Sequence, residues 1–296
     1  MKTPRILIIA GSDSGGGAGI QADIKTVTML GGHAMTAVTA ITAQNTLGVQ
    51  AVLPIPAEMV IAQIDSVVSD IGVDAVKIGM IGSPEIANAV ADRLEHLAAP
   101  IVFDPVMVAT SGSVLADAAT VTAFGRLMRL ASVVTPNTPE LEKLSGTRIE
   151  TFEDRYSAAE ILILKHGCRA VLAKGGHFPG IEIQSSDIAT GETRIRSTED
   201  ELFDALFFAS DEGQALEVGF SHPRIQTRHT HGTGCTLASA IAVGLARDYD
   251  LDRAVMNARD YVQATLRAAP GFGAGHGPIG HALGEAPFDL IHRKDN

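Results

Sequence analysis

Residues Arg5–Gly19 read RILIIAGSDSGGGAG, a short apolar run followed by a glycine-rich loop. The apolar run, Arg5–Ala10, is typical of a strand buried on both faces. A helix is predicted to follow over about Ile20–Leu30, because the pair Gly31-Gly32 provides a helix stop. The segment therefore predicts a strand, a loop and a helix in succession, which is the opening unit of an α/β fold.

The glycine-rich loop fits a dinucleotide-binding pattern only in part. Gly17–Ala22 matches G-x-G-x-x-A, but its first glycine lies well past the end of the strand. No Asp or Glu occurs between Asp23 and Glu58 to bind a ribose. The phosphate-loop pattern G-x-x-x-x-G-K-[ST] fails too, since no lysine in the loop follows a glycine. The glycines instead suit a close approach of the backbone to a flat ligand.

The order of strand then helix recurs along the chain. Strands are predicted at Ala34–Ala43, Asp74–Ile78, Pro100–Asp104, Ser132–Thr135 and Arg169–Ala173. Helices are predicted at Ala57–Ile71, Ser83–Ala98, Ala116–Leu130, from Pro136 onward, at Tyr156–His166 and at Leu251–Ala269. This alternation implies an α/β fold with a doubly wound, mostly parallel central sheet and helices on both faces.

Ligands bind beyond the carboxyl ends of the strands in such a sheet. Four polar residues, Asp104, Asn137, Glu140 and Lys174, each come at or just after the end of a short apolar strand. We expect them to converge at one edge of the sheet, where several convergent polar groups indicate a binding site.

Residues 178–228 depart from the alternation and are predicted to contain two hairpins. The predicted strand pairs are Ile181–Ala189 with Thr193–Ser197, and Asp204–Ser210 with Gln214–Phe220. Because the chain has no low-complexity linker and no internal repeat, we interpret residues 1–296 as a single domain with one or two added β-hairpins.

Composition restricts the class of protein. The 296 residues carry a net charge of −11, which argues against nucleic acid and anionic membrane surfaces as partners. Two cysteines, Cys168 and Cys235, do not make a disulfide framework and indicate a reducing compartment. The apolar run Ile6–Ala10 is too short for a signal peptide, and no apolar stretch reaches membrane-spanning length. We expect a cytoplasmic homodimer.

A second glycine-rich motif, His229–Thr236, reads HTHGTGCT and precedes a small-residue run with helix character. A glycine-flanked turn that opens a helix directs backbone N–H groups and the positive end of the helix dipole toward one point. Cys235 lies in the first predicted turn, where a thiol ionises more easily than in a free cysteine. The motif suggests a phosphate beside a proton acceptor, although alone it fits a helix start with a buried cysteine at least as well.

Other candidate residues have competing interpretations. His229 and His231 form His-x-His, but no Cys or His at ligand spacing supports a zinc site. Cys168 is interpreted as a core residue. Asn137 and Glu140 have the spacing of a capping box, and such a pair can also hold a hydrated Mg²⁺. Both interpretations of that pair stay open.

Seven motifs together resemble one family. They are Ala10–Asp23, Ala43–Thr46, Lys77–Met80, Asp104–Met107, Thr135–Glu140, Lys174–His177 and His229–Thr236. In this order and spacing they are similar to the hydroxymethylpyrimidine/phosphomethylpyrimidine kinases of thiamine biosynthesis, in the ribokinase-like superfamily. The resemblance spans nearly the whole chain and implies ATP- and Mg²⁺-dependent phosphorylation of 4-amino-5-hydroxymethyl-2-methylpyrimidine and then of its monophosphate.

The resemblance also implies roles for individual residues. It places the pyrimidine ring against Gly11, Asp23, Gln44, Met80, Val106 and Met107. It places the transferring phosphoryl group in a hole formed by Gly232, Thr233 and Gly234, with Cys235 as the base. It implies that Lys174, Asn137 and Thr230 bind ATP, and that Asp104 and Glu140 bind magnesium.

The chain departs from the family pattern in two places. Residues 179–203 are longer than the usual connection, which predicts an inserted hairpin, and the tail Gly271–His281 differs in spacing from the usual ending. The alternative functions are a pyridoxal or pyridoxine kinase of the same superfamily and a noncatalytic ligand sensor. Gln44, Met80 and Cys235 favour the pyrimidine, and an intact anion turn beside a base argues against a sensor.

Overall fold

The computed structural model describes residues 2–109, 112–176, 182–186, 193–197, 201–210 and 214–284. The strands are β1 (Arg5–Asp13), β2 (His33–Asn45), β3 (Gly48–Pro54), β4 (Ala75–Ile78), β5 (Ile101–Phe103), β6 (Val133–Val134), β7 (Ala170–Ala173), β8 (Glu182–Ser186), β9 (Thr193–Ser197), β10 (Glu201–Ala209) and β11 (Ala215–Pro223). The helices are α1 (Gly19–Met29), α2 (Ala57–Asp70), α3 (Pro84–Leu94), α4 (Ala118–Leu130), α5 (Thr138–Ser145), α6 (Phe152–Leu164), α7 (Thr233–Leu245) and α8 (Leu251–Arg267).

In the described chain, nine strands form one sheet in the order β11-β10-β7-β6-β5-β4-β1-β2-β3. Neighbours from β7 to β2 pair in parallel, and β3, β10 and β11 add antiparallel strands at the two edges. The prediction of a mostly parallel sheet is confirmed. The strand order reverses between β4 and β1, and ligands bind at such a switch point in open α/β sheets.

Side chains of β1 alternate between two cores. Leu7 and Ile9 belong to a cluster with buried residues of α2 to α6, whereas Ile6 and Ile8 belong to a cluster with α1, α7 and α8. Successive side chains of a strand point to opposite faces, so an unbroken apolar strand requires helices on both sides. The predicted doubly wound arrangement is therefore confirmed.

The sequence prediction misses β3 and ends β1 three residues too early. Residues of β3 are exposed or half-buried along their whole length, so the strand has no apolar period that would reveal it. Strand β1 continues past Ala10 to Asp13, since its last residues still pair with β2.

Both predicted hairpins occur as antiparallel pairs, but only one of them is part of the central sheet. Strands β8 and β9 form a separate two-stranded sheet, and the predicted turn Thr190–Glu192 lies outside the described residues. Strands β10 and β11 join the central sheet through β7. The predicted insertion at about residues 179–203 includes β8 and β9, and its extent stays a prediction. The single-domain interpretation stays a prediction.

Among the described residues, no helix is long and apolar enough to cross a membrane.

Candidate active site

A cavity of about 920 Å³ opens at the carboxyl edge of the sheet, against the start of α7. It brings together every predicted site residue except Asp23: Gly11, Gln44, Met80, Asp104, Val106, Met107, Asn137, Glu140, Lys174, Thr230, Gly232, Thr233, Gly234 and Cys235. The cavity is large enough for two small ligands side by side, since ligand pockets commonly hold roughly 300–1,000 Å³.

The turn Gly232–Cys235, here called the anion turn, lies in close contact with the glycine-rich loop that precedes α1. Gly232 precedes α7 with φ +91°, and a Cβ at this position would lie 1.9 Å from the carbonyl oxygen of Gly17. Only glycine permits both this backbone conformation and this approach. Neither α1 nor α7 has a side-chain cap or an acidic residue in its first turn. The N–H groups at the start of α7 thus remain suited to a bound anion.

Cys235 is half-buried in the first turn of α7, and its environment corrects the predicted pKa. Burial raises the pKa of the thiol to about 11; Lys77 opposes this rise, while the charges of Asp23 and Asp104 add to it. The helix-dipole argument predicted a lowered pKa because it took no account of burial or of these two carboxylates. At neutral pH the group is a thiol.

Asp23 lies beneath the anion turn and does not line the cavity, which corrects its predicted contact with the ring. Its Oδ2 accepts from Lys77 Nζ at 2.8 Å and its Oδ1 accepts from Ser239 Oγ at 2.7 Å. Asp23, Lys77 and Ser239 are all completely buried. Burial lowers the pKa of Lys77, but Asp23, Cys235 and Asp104 outweigh burial and raise it above its ordinary value. The pair therefore places a buried ammonium group under the first turns of α1 and α7.

Lys174, Asp104 and Glu140 form a charged cluster beside the anion turn. Lys174 Nζ lies 2.9 Å from Asp104 Oδ1 and 3.8 Å from Glu140 Oε2. A Cβ at Gly234 would lie 3.3 Å from the same Nζ, so the cluster directly adjoins the turn. Burial opposes the charge of Lys174, but Asp104 and Glu140 outweigh it and raise the pKa of Lys174 to about 12. The cation is therefore charged at every physiological pH.

The predicted capping box is confirmed at the start of α5. Asn137 Oδ1 accepts from Glu140 N at 2.9 Å, and Glu140 Oε2 accepts from Asn137 N at 2.7 Å. Glu140 nevertheless lines the cavity. Burial and the neighbouring charge of Asp104 raise the pKa of Glu140 to about 7, although Lys174 lowers it. The two interpretations of this pair are thus compatible, because Glu140 completes the capping box and also presents its carboxylate to the cavity.

Part of the cavity lining consists of glycine and apolar side chains. A Cβ at Gly11 would lie 3.1 Å from Met80 Sδ, so the glycine leaves room for the thioether. Val106 and Met107 continue this wall, and the half-buried amide of Gln44 adjoins it. An apolar wall with one amide suits a planar ring that carries hydrogen-bonding groups on one edge.

A comparison with protein families matches residues 13–280 to the model described as phosphomethylpyrimidine kinase. This chain belongs to that family. A curated hydroxymethylpyrimidine/phosphomethylpyrimidine kinase from Streptomyces coelicolor is 44% identical over 285 residues, which are 95% of this chain and 96% of the relative. The family resemblance is therefore confirmed, and the protein is an ATP-dependent small-molecule kinase.

Solved structures of both phosphomethylpyrimidine kinases and pyridoxal kinases resemble this protein. Clostridium difficile phosphomethylpyrimidine kinase is 36% identical with a TM-score of 0.69, covering 88% of this chain and 98% of its own. The ADP complex of Bacillus subtilis pyridoxal kinase is 30% identical with a TM-score of 0.80, covering 95% and 98%. The predicted ribokinase-like fold is thus confirmed. Because the backbone resembles both kinds of kinase, the fold alone does not show whether the substrate is a pyrimidine or pyridoxal.

Several residues of this kinase site were missed by the sequence analysis. Asp13 accepts from three loop N–H groups, and His231 Nε2 lies 2.9 Å from Asp13 Oδ2 and 3.3 Å from Gln44 Nε2. Lys77 is a charged residue within a completely buried strand, and such a position is itself a signal. Arg259, the fourth missed residue, lines the cavity and donates to Asp204 Oδ2 at 2.7 Å, a contact that needs the tertiary fold.

The donor set of this kinase fits one hydrated Mg²⁺. No group of three or more metal-binding side chains occurs among the described residues. Mg²⁺ needs only one or two carboxylates, because waters and substrate phosphates supply its other ligands. Asp104 and Glu140 provide two carboxylates for one lysine charge, so a further cation would balance the remaining negative charge.

Proposed function

We propose that this kinase transfers the terminal phosphoryl group of ATP to 4-amino-5-hydroxymethyl-2-methylpyrimidine and then to its monophosphate, for thiamine biosynthesis. The observation that carries the proposal is the position of Cys235 and the anion turn in the same cavity as the Gln44 amide and the Met80 wall. A ring bound against that wall would direct its hydroxymethyl group toward the turn.

Ring binding is assigned to the apolar end of the cavity. The amide of Gln44 offers one acceptor and two donors, which match the ring nitrogen and amino group of an aminopyrimidine. Gly11, Met80, Val106 and Met107 supply the flat surface. Asp23 is left out of this set because its side chain is buried away from the cavity.

Phosphoryl transfer depends on positioning and on charge stabilisation. The N–H groups at the start of α7 and the ammonium group of Lys174 would hold the oxygens of the transferring group. Asn137 and Thr230 line the cavity on this side and are assigned to the nucleotide. Asp104 and Glu140 would hold Mg²⁺, which neutralises phosphate charge when bound. The hydroxymethyl proton would pass to Cys235 Sγ in its thiolate form.

Incubation with ATP and hydroxymethylpyrimidine tests the proposal by mass spectrometry of the products. We expect the monophosphate to appear first and the diphosphate later. Formation of neither product by a folded protein would contradict the proposed function. A cytoplasmic location and a homodimeric state remain predictions that accompany it.

Gln44→Ala is expected to raise the KM for hydroxymethylpyrimidine while the fold is kept. Loss of one partner of a paired polar group costs roughly 1–3 kcal/mol, or about a fivefold to 150-fold change in affinity. Steady-state kinetics with each substrate varied in turn would measure this, with circular dichroism as the folding control. An unchanged KM would remove Gln44 from the ring site.

Replacement of residues 182–197 by a short glycine-serine linker is expected to keep kcat within about twofold, because β8 and β9 pair only with each other in the described chain. Extending the deletion through Phe203 should destabilise the protein, since Phe203 O accepts from Arg155 Nη1 at 2.6 Å. Kinetics and thermal melts of both variants test this difference. A collapse of kcat in the shorter deletion would show that the pair contributes to the site.

A further inference from the structure

His231 connects three parts of the cavity. Its Nε2 lies 2.9 Å from Asp13 Oδ2 and 3.3 Å from Gln44 Nε2, and only 8% of the residue is exposed. Its backbone directly precedes Gly232, and its N–H donates to Gly277 O at 3.1 Å. One imidazole therefore joins the glycine-rich loop, the end of β2 and the anion turn.

Asp13 holds this imidazole in place. The Asp13 carboxylate accepts from the N–H groups of Gly15, Gly17 and Ala18 at 2.8, 3.0 and 2.8 Å. Burial alone would raise the pKa of Asp13, but the hydrogen bonds from His231, Ala18 and Gly15 outweigh burial and lower it. A Cβ at Gly17 would lie 2.4 Å from His231 Cδ2, so the imidazole packs directly on the loop.

The ionised carboxylate fixes the proton on the imidazole. Two lone pairs would repel each other across 2.9 Å, so His231 Nε2 carries a proton and donates it to Asp13. A protonated Nε2 has no lone pair left to accept from an NH₂ group, so the end of the Gln44 amide that faces it is better occupied by the carbonyl oxygen.

A second neighbour favours the same orientation of the amide. Thr42 Oγ1 donates its single proton to Ser12 O at 2.8 Å and lies 3.1 Å from the other end of the Gln44 amide. That end is best satisfied as a donor. Rotation of the amide by 180° exchanges its oxygen and nitrogen, and partners decide between the two orientations. Both neighbours favour the carbonyl toward His231 and the NH₂ group toward Thr42.

We infer that His231, held by Asp13, is a positioning residue that fixes the orientation of the Gln44 amide and thereby the order of acceptor and donor offered to the ring edge. The inference rests on the proposed ring-binding role of Gln44. Without His231, one side of the amide loses the partner that distinguishes its two orientations. An aminopyrimidine edge pairs with only one order of donor and acceptor, so ring affinity should fall while nucleotide affinity is kept.

Substitution at His231 tests the inference by separating the two KM values. His231→Leu is expected to raise the KM for hydroxymethylpyrimidine about tenfold or more and to leave the KM for ATP within about twofold. His231→Gln places an amide N–H near the position of Nε2 and should recover most of the loss. His96→Leu is the matched control, since His96 is exposed and lies outside the cavity. An unchanged pyrimidine KM in His231→Leu would overturn the inference, and so would an equal rise in both KM values.

A double-mutant cycle separates this inference from the function on which it rests. If His231 acts through Gln44, then His231→Leu/Gln44→Ala should have the same pyrimidine KM as Gln44→Ala alone. Multiplicative effects of the two substitutions would overturn the positioning role and leave Gln44 in the ring site. No effect of Gln44→Ala would instead overturn the ring-binding role and the inference with it. If His231→Leu fails to fold in thermal melts, Asp13→Asn combined with Gln44→Ala provides the same comparison, because it removes the carboxylate that holds the imidazole.

Discussion

Cys235→Ser is expected to fold and bind ATP but to lose kcat, up to the roughly 10²–10⁴-fold that a general base contributes, with the larger loss at higher pH where more thiolate is present. The group lies at the start of α7, beside the N–H groups that would hold the transferring phosphoryl oxygens. Serine keeps the size of the side chain but is a far weaker proton acceptor. Single-turnover kinetics with hydroxymethylpyrimidine would measure the loss, and thermal melts would report on folding.

The pH dependence of the same reaction provides a sharper test. Since the pKa of Cys235 is raised to about 11, the thiolate is the minor form at neutral pH, and its fraction grows about tenfold per pH unit up to that value. The kcat/KM of the wild-type enzyme should therefore rise across pH 7–9. Cys235→Asp should be more active than Cys235→Ser and nearly independent of pH in this range, because a carboxylate is already ionised.

Cys168→Ala is the matched control for the loss of a thiol. Cys168 is buried in the core, lies outside the cavity, and has its pKa raised to about 12 by burial. Its substitution should leave kcat unchanged. A fully active Cys235→Ser enzyme, or a flat pH profile in the wild type, would contradict the assignment of Cys235 as base.

Lys77→Met is expected to lower the free energy of unfolding by about 3–5 kcal/mol, because it leaves Asp23 buried without its cationic partner. Neither side chain is exposed, so water cannot replace the lost contact. Urea denaturation at constant pH would measure the change. Lys77→Met/Asp23→Asn should be more stable than the single variant, since it removes the uncompensated charge and keeps an acceptor for Ser239.

The surface pair Lys2–Asp74 supplies the control for this effect. Lys2 Nζ lies 3.0 Å from Asp74 Oδ1, but the lysine side chain is 70% exposed. Exposed ion pairs contribute about 0–1 kcal/mol, so Lys2→Met should be nearly silent. A loss below about 1 kcal/mol in Lys77→Met would contradict the structural role assigned to the Lys77–Asp23 pair.

The sequence predicts the central architecture because hydrophobic pattern and strand order determine it. The unbroken apolar run in β1 requires helices on both faces, and both cores are present. The edge strand β3 is not predictable in this way, because its exposed residues form no apolar period. Strand β10 was predicted only as one half of a hairpin, since its pairing with β7 depends on the tertiary fold.

Site residues are predictable when a local motif positions them. The capping box of Asn137 and Glu140 follows from spacing alone. The position of Asp23 and the pKa of Cys235 depend on contacts between α1, β4 and α7, which are distant in sequence. Family resemblance placed Asp23 against the ring, whereas tertiary packing pairs it with Lys77. Local sequence patterns do not report how deeply a side chain is buried, and burial decides both the position of Asp23 and the pKa of Cys235.

The most direct test of the proposed function is a comparison of kcat/KM for three acceptors at saturating ATP. The acceptors are hydroxymethylpyrimidine, its monophosphate and pyridoxal, and ADP release with product identification by mass spectrometry gives the rates. The Gln44 amide, the Met80 wall and Cys235 predict turnover of both pyrimidines, with kcat/KM for hydroxymethylpyrimidine above that for pyridoxal. A preference for pyridoxal, or turnover of neither pyrimidine by the folded protein, would contradict the account.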